Sequence, residues 1–260
     1  MQERLIKTHQ DWEDLAQLDA VWAVNTHPEY RFGQGDMTAF FRKGEVQIAA
    51  MMAHTERLGY PARRETALDF GCGVGRLTRA LAGRFQECVG VDIAETMIEK
   101  ARALNSAYPN CTFVVNERED LTAFPDAYFD LIYTREVLQH QASPDAVKRY
   151  IAEFLRVLRD DGILVFQLPR RLSLRRTLQP RRRLYSVLRT VGIPKVVLYN
   201  RLNLNPMKTI SLSEAQTQDY IASIGGRVLY SEREDGSNYD STTYYVVRDL
   251  TSAAPRARLS

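Results

Sequence analysis

Leu68-Asp-Phe-Gly-Cys-Gly-Val-Gly75 places three glycines at alternate positions, where an apolar run gives way to a helical pattern. Glycine there permits positive φ and removes side chains that would hold a ligand away from the backbone. The helix N-terminus beyond the loop offers free N–H groups to an anionic group such as a carboxylate. A dinucleotide fingerprint reads GxGxxG. This loop is GxGxG, with Arg76 where the third glycine should fall and its acid placed ahead of the loop as Asp69. Asp92 follows Gly75 by 17 residues, at the end of a second apolar run. A third polar stretch is Asn116-Glu-Arg-Glu-Asp-Leu121, and a fourth segment, Phe129-Asp-Leu-Ile-Tyr-Thr-Arg-Glu-Val-Leu-Gln-His140, ends in a histidine. A near-neutral side chain at that point suits a general base.

These groups need a scaffold, and the chain from residue 66 alternates strand and helix patterns. Short apolar runs at 67–70, 88–92, 112–115, 130–133 and 163–167 read as strands. Between them, 76–84 and 94–105 read as helices, the first with Leu77, Ala80 and Leu81 on one face. Ser143-Pro-Asp starts another helix as N-cap, N1 proline and first-turn acid, running to Leu158 and stopping at Asp160-Asp-Gly162. Such alternation means parallel strands buried on both faces, joined by right-handed crossovers. A capped helix over 213–224 closes at Gly225-Gly226, and runs at 227–231 and 242–248 predict an antiparallel hairpin. Residues 36–58 predict an amphipathic helix ahead of the first strand.

In order and spacing, these motifs resemble the class I S-adenosylmethionine (SAM)-dependent methyltransferases, in particular the small-molecule branch with an xDxGCGxGxxT first motif. The resemblance covers roughly 65–168 plus the terminal helix and hairpin. It implies an α/β fold: a Rossmann-like, doubly wound, mostly parallel seven-stranded sheet with a C-terminal antiparallel hairpin. It implies SAM as cofactor and S-adenosylhomocysteine as product. By resemblance, Gly71, Cys72, Gly73 and Gly75 pass under the methionine portion, and Asp69 sits near its amino group. Asp92 accepts both ribose hydroxyls, and Ile93 and Met97 flank the adenine. Glu117 meets the adenine amino group, where the family more often has Asp, and the Arg118 backbone pairs with the ring. Thr134 lies beside the methionine portion, and His140 sits near the transferred methyl as the candidate catalytic base. Glu136 and Tyr133 are lesser candidates. Arg31 and Arg42 either pair the cofactor carboxylate or form a solvated face. His9, His27 and His54 read as surface or packing residues.

The domain plan that follows is an N-terminal helical extension at 1–65, a SAM-binding core at 66–168, a basic cap insert at 169–210, a completing helix and hairpin at 211–250, and a disordered tail at 251–260. Hydrophobic residues make up 45% and charged residues 26% of the 260, which excludes a fibrous or generally disordered chain. No run of about 18 apolar residues occurs, and MQERLIKTHQDWEDLA has no apolar h-region of a signal peptide. Three cysteines without a CxxC pair or Cys/His ligand spacing predict a reduced, cytoplasmic setting and no metal.

The formal net charge of +3 hides an asymmetry: Gly162–Ser213 holds nine Arg, two Lys and no acid, which is +11 and leaves −8 for the remainder. In the family the connection after strand five often grows into a substrate cap. The arginines either face water or pair with the acidic body, or clamp an anionic small acceptor, or lie on an anionic membrane and collect a lipid-linked one, or track RNA. No RNP-like aromatic pattern supports nucleic acid. The expected reaction is direct methyl transfer from SAM to O, N or C of a small molecule, with an anionic or a lipid-linked acceptor as the readings the insert favours. Against it stand a non-catalytic SAM-binding or interaction protein of the same fold, an RNA methyltransferase, and an NAD-type oxidoreductase, which Arg76 argues against. Acceptor identity and oligomeric state have no signal in the residues.

Overall fold

The computed structural model describes residues 2–236 and 239–251, with side chains from Leu5 onward. The tail expected to be disordered lies, apart from Thr251, outside the described residues. The strands are β1 (Thr66–Phe70), β2 (Glu87–Asp92), β3 (Cys111–Val115), β4 (Phe129–Thr134), β5 (Leu158–Leu172), β6 (Gly226–Glu234) and β7 (Tyr239–Arg248). The helices are α1 (Gln2–Val24), α2 (Met37–Arg57), α3 (Arg76–Ala82), α4 (Glu95–Leu104), α5 (Pro144–Val157), α6 (Leu174–Leu178), α7 (Pro180–Thr190), α8 (Lys195–Asn200) and α9 (Glu214–Ser223).

The strands join one sheet in the order β3-β2-β1-β4-β5-β7-β6, with β7 antiparallel to both of its neighbours. This is the doubly wound, mostly parallel sheet with a terminal antiparallel pair that the alternation implies. The burial of β1 and β4 along their whole length explains why neither strand alternates in sequence. One face is covered by α5 and α9 through Tyr150, Ile151, Phe154 and Ile221. The other packs on Ile48, Met51 and Met52 of α2 and on Leu81 of α3. Strand order reverses between β1 and β4, so a crevice opens at their C-terminal ends, where ligands bind in open α/β sheets.

Two boundaries differ from expectation. The helix expected to reach Leu158 ends at Val157, and β5 begins at Leu158 rather than Ile163. Leu158 pairs with Phe129, and Arg159 reaches the carboxylates of Asp130 at 2.9 Å and Glu65 at 2.7 Å, which holds the stretch extended despite its acids and glycine. β5 also runs on to Leu172, because its ladder with β7 continues past a bulge at Pro169/Arg171. The helical part of the insert therefore starts only after Ser173, which caps α6 through the Arg176 N–H.

The N-terminal region wraps the C-terminal ends of the parallel strands. Within α1 the backbone is extended at Asp19 (φ −165, ψ 80), which breaks the helix in two. The Asp19 carboxylate accepts from Trp22 N (3.3 Å), Phe32 N (2.5 Å) and the Tyr199 hydroxyl (3.0 Å). One side chain thus ties α1, the turn after it and α8 of the insert together. Gly44 lets α2 touch the first turn of α3, since a Cβ there would stand 2.8 Å from the Arg76 carbonyl oxygen.

Candidate active site

The crevice is a cavity of about 980 Å³, roofed by α1 and by the insert. Its floor is the glycine loop. Gly71 N donates to Val91 O at 2.7 Å and Cys72 N to the same oxygen at 3.0 Å, so the loop is anchored to β2. Gly71 has φ +76 and Gly73 φ +52. A Cβ on Gly71 would stand 2.3 Å from Val137 Cγ2, and one on Gly73 2.3 Å from Val24 Cγ2. Only glycine allows both the backbone turn and this approach of neighbouring chain.

Asp92 ends β2 beside the loop. Its carboxylate accepts from Gly73 N at 2.9 Å and Ala94 N at 3.0 Å. Burial pushes its pKa up, against the pull of these N–H groups. Each carboxylate oxygen keeps a further lone pair, and the side chain stays half-exposed on the cavity wall. Ile93 and Met97 line the same wall. A backbone cradle with no room for a Cβ, a carboxylate with spare acceptor capacity and an apolar flank fit the methionine, ribose and adenine portions of SAM.

Of the residues assigned to the cofactor, Gly71, Cys72, Gly73, Asp92, Ile93 and Met97 line the cavity. Five others do not. Asp69 is 2% exposed beneath the loop and accepts from Thr78 Oγ1 at 2.7 Å. Gly75 turns away to cap α3, packed on Asn105 and Phe113. Thr134 is buried in β4, away from the wall. Glu117 is exposed and faces His9 at 3.5 Å, because the Asn116 side chain accepts from Arg118 N and donates to Asp120 O, curling the loop so that Asn116 takes the wall position. The Arg118 backbone is already engaged, its N–H with Asn116 and its carbonyl with the Tyr150 hydroxyl at 2.7 Å.

The buried Asp69 carboxyl is pushed up to about 6 by desolvation, partly offset by Thr78 and by the charge of Arg76. An acid with a raised folded-state pKa favours the protonated fold. Its contribution is therefore fully present below about pH 4 and is lost as pH rises through about 6, a span of about 3 kcal/mol. Asp69→Asn, which still accepts from Thr78, should gain on wild type by up to that amount between pH 4 and 7.5 in urea titrations. A gap that does not change with pH would show that no ionised carboxylate is buried there.

His140 also lines the cavity, but not as a ready base. Its Nδ1 lies against the Lys208 carbonyl oxygen and so carries the hydrogen, while Nε2 faces Gln139 Nε2 at 3.2 Å. Burial pushes its pKa down to about 4, only partly countered by the Lys208 carbonyl, and Trp12 packs edge-on at 5.1 Å. A neutral imidazole with both nitrogens engaged braces the returning insert against the loop after β4. Next to it, Glu136 sits on the wall at φ +61, a conformation uncommon for a side-chain-bearing residue, and forms no ion pair among the described residues. Tyr133 is buried in β4 and holds Gln47 Nε2 at 2.9 Å.

Of the two N-terminal arginines considered for the carboxylate, one lines the cavity. Arg42 is exposed and off the wall. Arg31 lies over the rings of Trp22, Phe32 and Tyr199 and donates to Asn203 Oδ1 and Tyr199 O, fastening the insert to the roof. Arg31 keeps a buried Nε without a partner among the described residues, and a second arginine on the cavity wall is Arg76. It directly follows the loop, donates to Gln47 Oε1 at 3.1 Å and keeps a buried Nε without a partner among the described residues. The signal for it was its position, the first residue after three alternating glycines. The insert contributes Arg175, Arg176, Arg181 and Arg182 to the same cavity. Arg182 donates to Pro206 O at 3.1 Å, whereas the other three form no salt bridge among the described residues.

Residues 68–166 match the model of the methyltransferase domain. The 2-methyl-6-phytyl-1,4-hydroquinone methyltransferase of Synechocystis is 26% identical over 164 residues, 63% of this chain and 50% of that protein. A ubiquinone biosynthesis O-methyltransferase of Mesorhizobium japonicum is 34% identical over 120 residues, 45% of this chain and 46% of its own. The matched stretch thus spans about half the length of these curated relatives. Magnesium protoporphyrin IX methyltransferase from Synechocystis, solved with bound SAM, superposes with a TM-score of 0.59 at 18% identity, over 93% of this chain and 97% of that one. At that identity the likeness shows the fold, and the fold agrees with the sheet order above. Residues 68–166 thus match a methyltransferase domain, and the sheet order and glycine loop around it agree with the class I SAM-dependent methyltransferase fold.

Proposed function

We propose that this chain transfers the methyl group of SAM to an oxygen of a small molecule that carries an acidic group. One observation carries the reading: one cavity is lined both by the glycine loop with Asp92 and by insert arginines free of salt bridges. When bound, SAM supplies an electrophilic methyl on sulfur and leaves as S-adenosylhomocysteine. The backbone at Gly71–Gly73 and the Asp92 carboxylate hold it, and Arg76 meets its carboxylate. Trp12, Trp22 and Val24 of the roof exclude water. Arg175 and Arg176 grip the acceptor's acid, so that its oxygen is held for in-line attack, a step that depends mainly on positioning. Glu136 takes the proton from that oxygen.

The relatives' names, which refer to quinols and a porphyrin, support a small-molecule acceptor. The three thiols are free, which supports a reducing, cytoplasmic setting.

Labelled SAM offered with aryl carboxylates, aryl phosphates and their neutral analogues tests the reading. Arg175→Ala/Arg176→Ala should raise KM for acidic acceptors about 100-fold, the loss of one charge-assisted contact, with SAM affinity unchanged. Equal KM changes for neutral analogues would remove the acidic acceptor. A folded chain that fails to bind SAM would remove methyl transfer itself.

A further inference from the structure

We propose that the outer face of the insert, formed by α6, α7 and α8, docks on an anionic lipid bilayer. Among the described residues, 13 large hydrophobic side chains are exposed, and seven of them fall between Leu174 and Leu202. Scattered singly, exposed Leu or Val needs no explanation. Seven within 29 residues do, the more so since Leu174 is 84% and Val191 69% exposed.

The helices show that these side chains are surplus to folding. In α7, Tyr185 and Leu188 face inward and pack with Leu198, Leu204 and Ile193 in a small core of their own. Leu184, Val187 and Val191, at spacings of three and four, form a second apolar stripe that faces solvent. Leu174 and Leu178 repeat the pattern in α6. Exposed Arg183 flanks the α7 stripe by helical position, and exposed Arg201 directly follows α8. Neither forms a salt bridge among the described residues.

Charge and side-chain type select the occupant. Across Gly162–Ser213 there is no acidic residue, so nothing on this segment repels a negatively charged surface. Aliphatic side chains enter the acyl boundary of a bilayer while arginines meet its phosphates. A nucleic-acid strand offers no use for Leu and Val, and the stripe carries no aromatic ring on which a base could stack. Among the described residues no helix is long and apolar enough to cross a membrane, so the contact is peripheral. The same short helices line the cavity from their inner side through Arg176 and Arg182. Docking would therefore bring the acceptor end of the cavity to the bilayer surface. That consequence rests on the proposed function; the docking face itself does not.

Flotation of the full chain with vesicles of phosphatidylcholine containing about a third phosphatidylglycerol tests the surface. Binding is expected to these vesicles, with little to pure phosphatidylcholine and a marked loss near 0.5 M salt, where screening is strong. Leu184→Ser/Val187→Ser/Val191→Ser should lower partitioning about 30-fold or more, and Arg183→Gln/Arg201→Gln should lower it in the anionic vesicles alone. Both variants should keep the wild-type melting temperature and SAM affinity by calorimetry, because neither set packs inward. The proposal is overturned if the folded wild type does not float, or if either variant floats as well as wild type. It is equally overturned by single-stranded RNA displacing the protein from vesicles at matched charge, or by self-association that masks the stripe without any flotation. Methyl transfer to a soluble acceptor, assayed without vesicles, is expected to be the same in wild type and both variants, so its failure is read separately.

Discussion

Asp92→Ala is expected to weaken SAM binding by a factor of a hundred or more, measured by calorimetry on protein whose melting temperature is checked first. Two ribose hydroxyls donating to a charged acceptor are each worth about 1.5–3 kcal/mol, and roughly 3–6 kcal/mol together corresponds to about 10²–10⁴ in affinity. The residue also holds Gly73 N and Ala94 N, so alanine loosens the loop as well as removing an acceptor. Asp92→Asn separates the two roles. It keeps the shape and one oxygen while losing the charge, and a loss of about tenfold to thirtyfold is expected, half or less of the alanine effect in free energy. Wild-type affinity in the asparagine variant would reduce Asp92 to a latch for the loop. Because burial raises the Asp92 pKa, the affinity should also decline with falling pH above the ordinary carboxylate range.

Gly71→Ala should be nearly as damaging, through shape alone. Its Cβ would fall 2.3 and 2.5 Å from the two γ-carbons of Val137 and 2.9 Å from its β-carbon, on backbone at φ +76. Val137 is β-branched, with little rotamer freedom to yield, and the positive φ adds strain of its own. A stability loss of about 2–4 kcal/mol in urea should accompany a fall of about 100-fold in SAM affinity. Val137→Ala in the same chain removes the clash but not the dihedral strain, so it should restore part of the stability. Undiminished binding by Gly71→Ala would mean that the loop is a packing turn and the cofactor lies elsewhere.

The parts of the site legible in the sequence are those fixed by local backbone chemistry. The glycine loop and Asp92 lie on adjacent parallel strands, so strand-and-helix counting was enough to bring them to one crevice. Glu117 was misplaced because orientation in a loop depends on a side chain, here Asn116, that draws the turn shut. His140 was recognisable as a cavity residue, but its partner Lys208 stands 68 positions away, and no spacing rule shows a carbonyl arriving from an insert. The surroundings of Arg31 are hidden in the sequence for a similar reason. Its cation lies among Trp22, Phe32 and Tyr199, a platform assembled from three separate segments. In the insert, composition gave the charge, but only the folded helices show which apolar residues build an inner core and which are left over.

The last strand of the sheet by sequence is not at its edge. β7 is inserted between β5 and β6, and it pairs with each over eight residues. A chain emerging from the ribosome thus carries a finished cofactor half while β5 still presents a bare row of backbone donors and acceptors. Such an edge is open to pairing with other chains until residues through Arg248 are free to slide in. Closure of the sheet is consequently a late event in biogenesis, and the hairpin that completes it doubles as protection against aggregation.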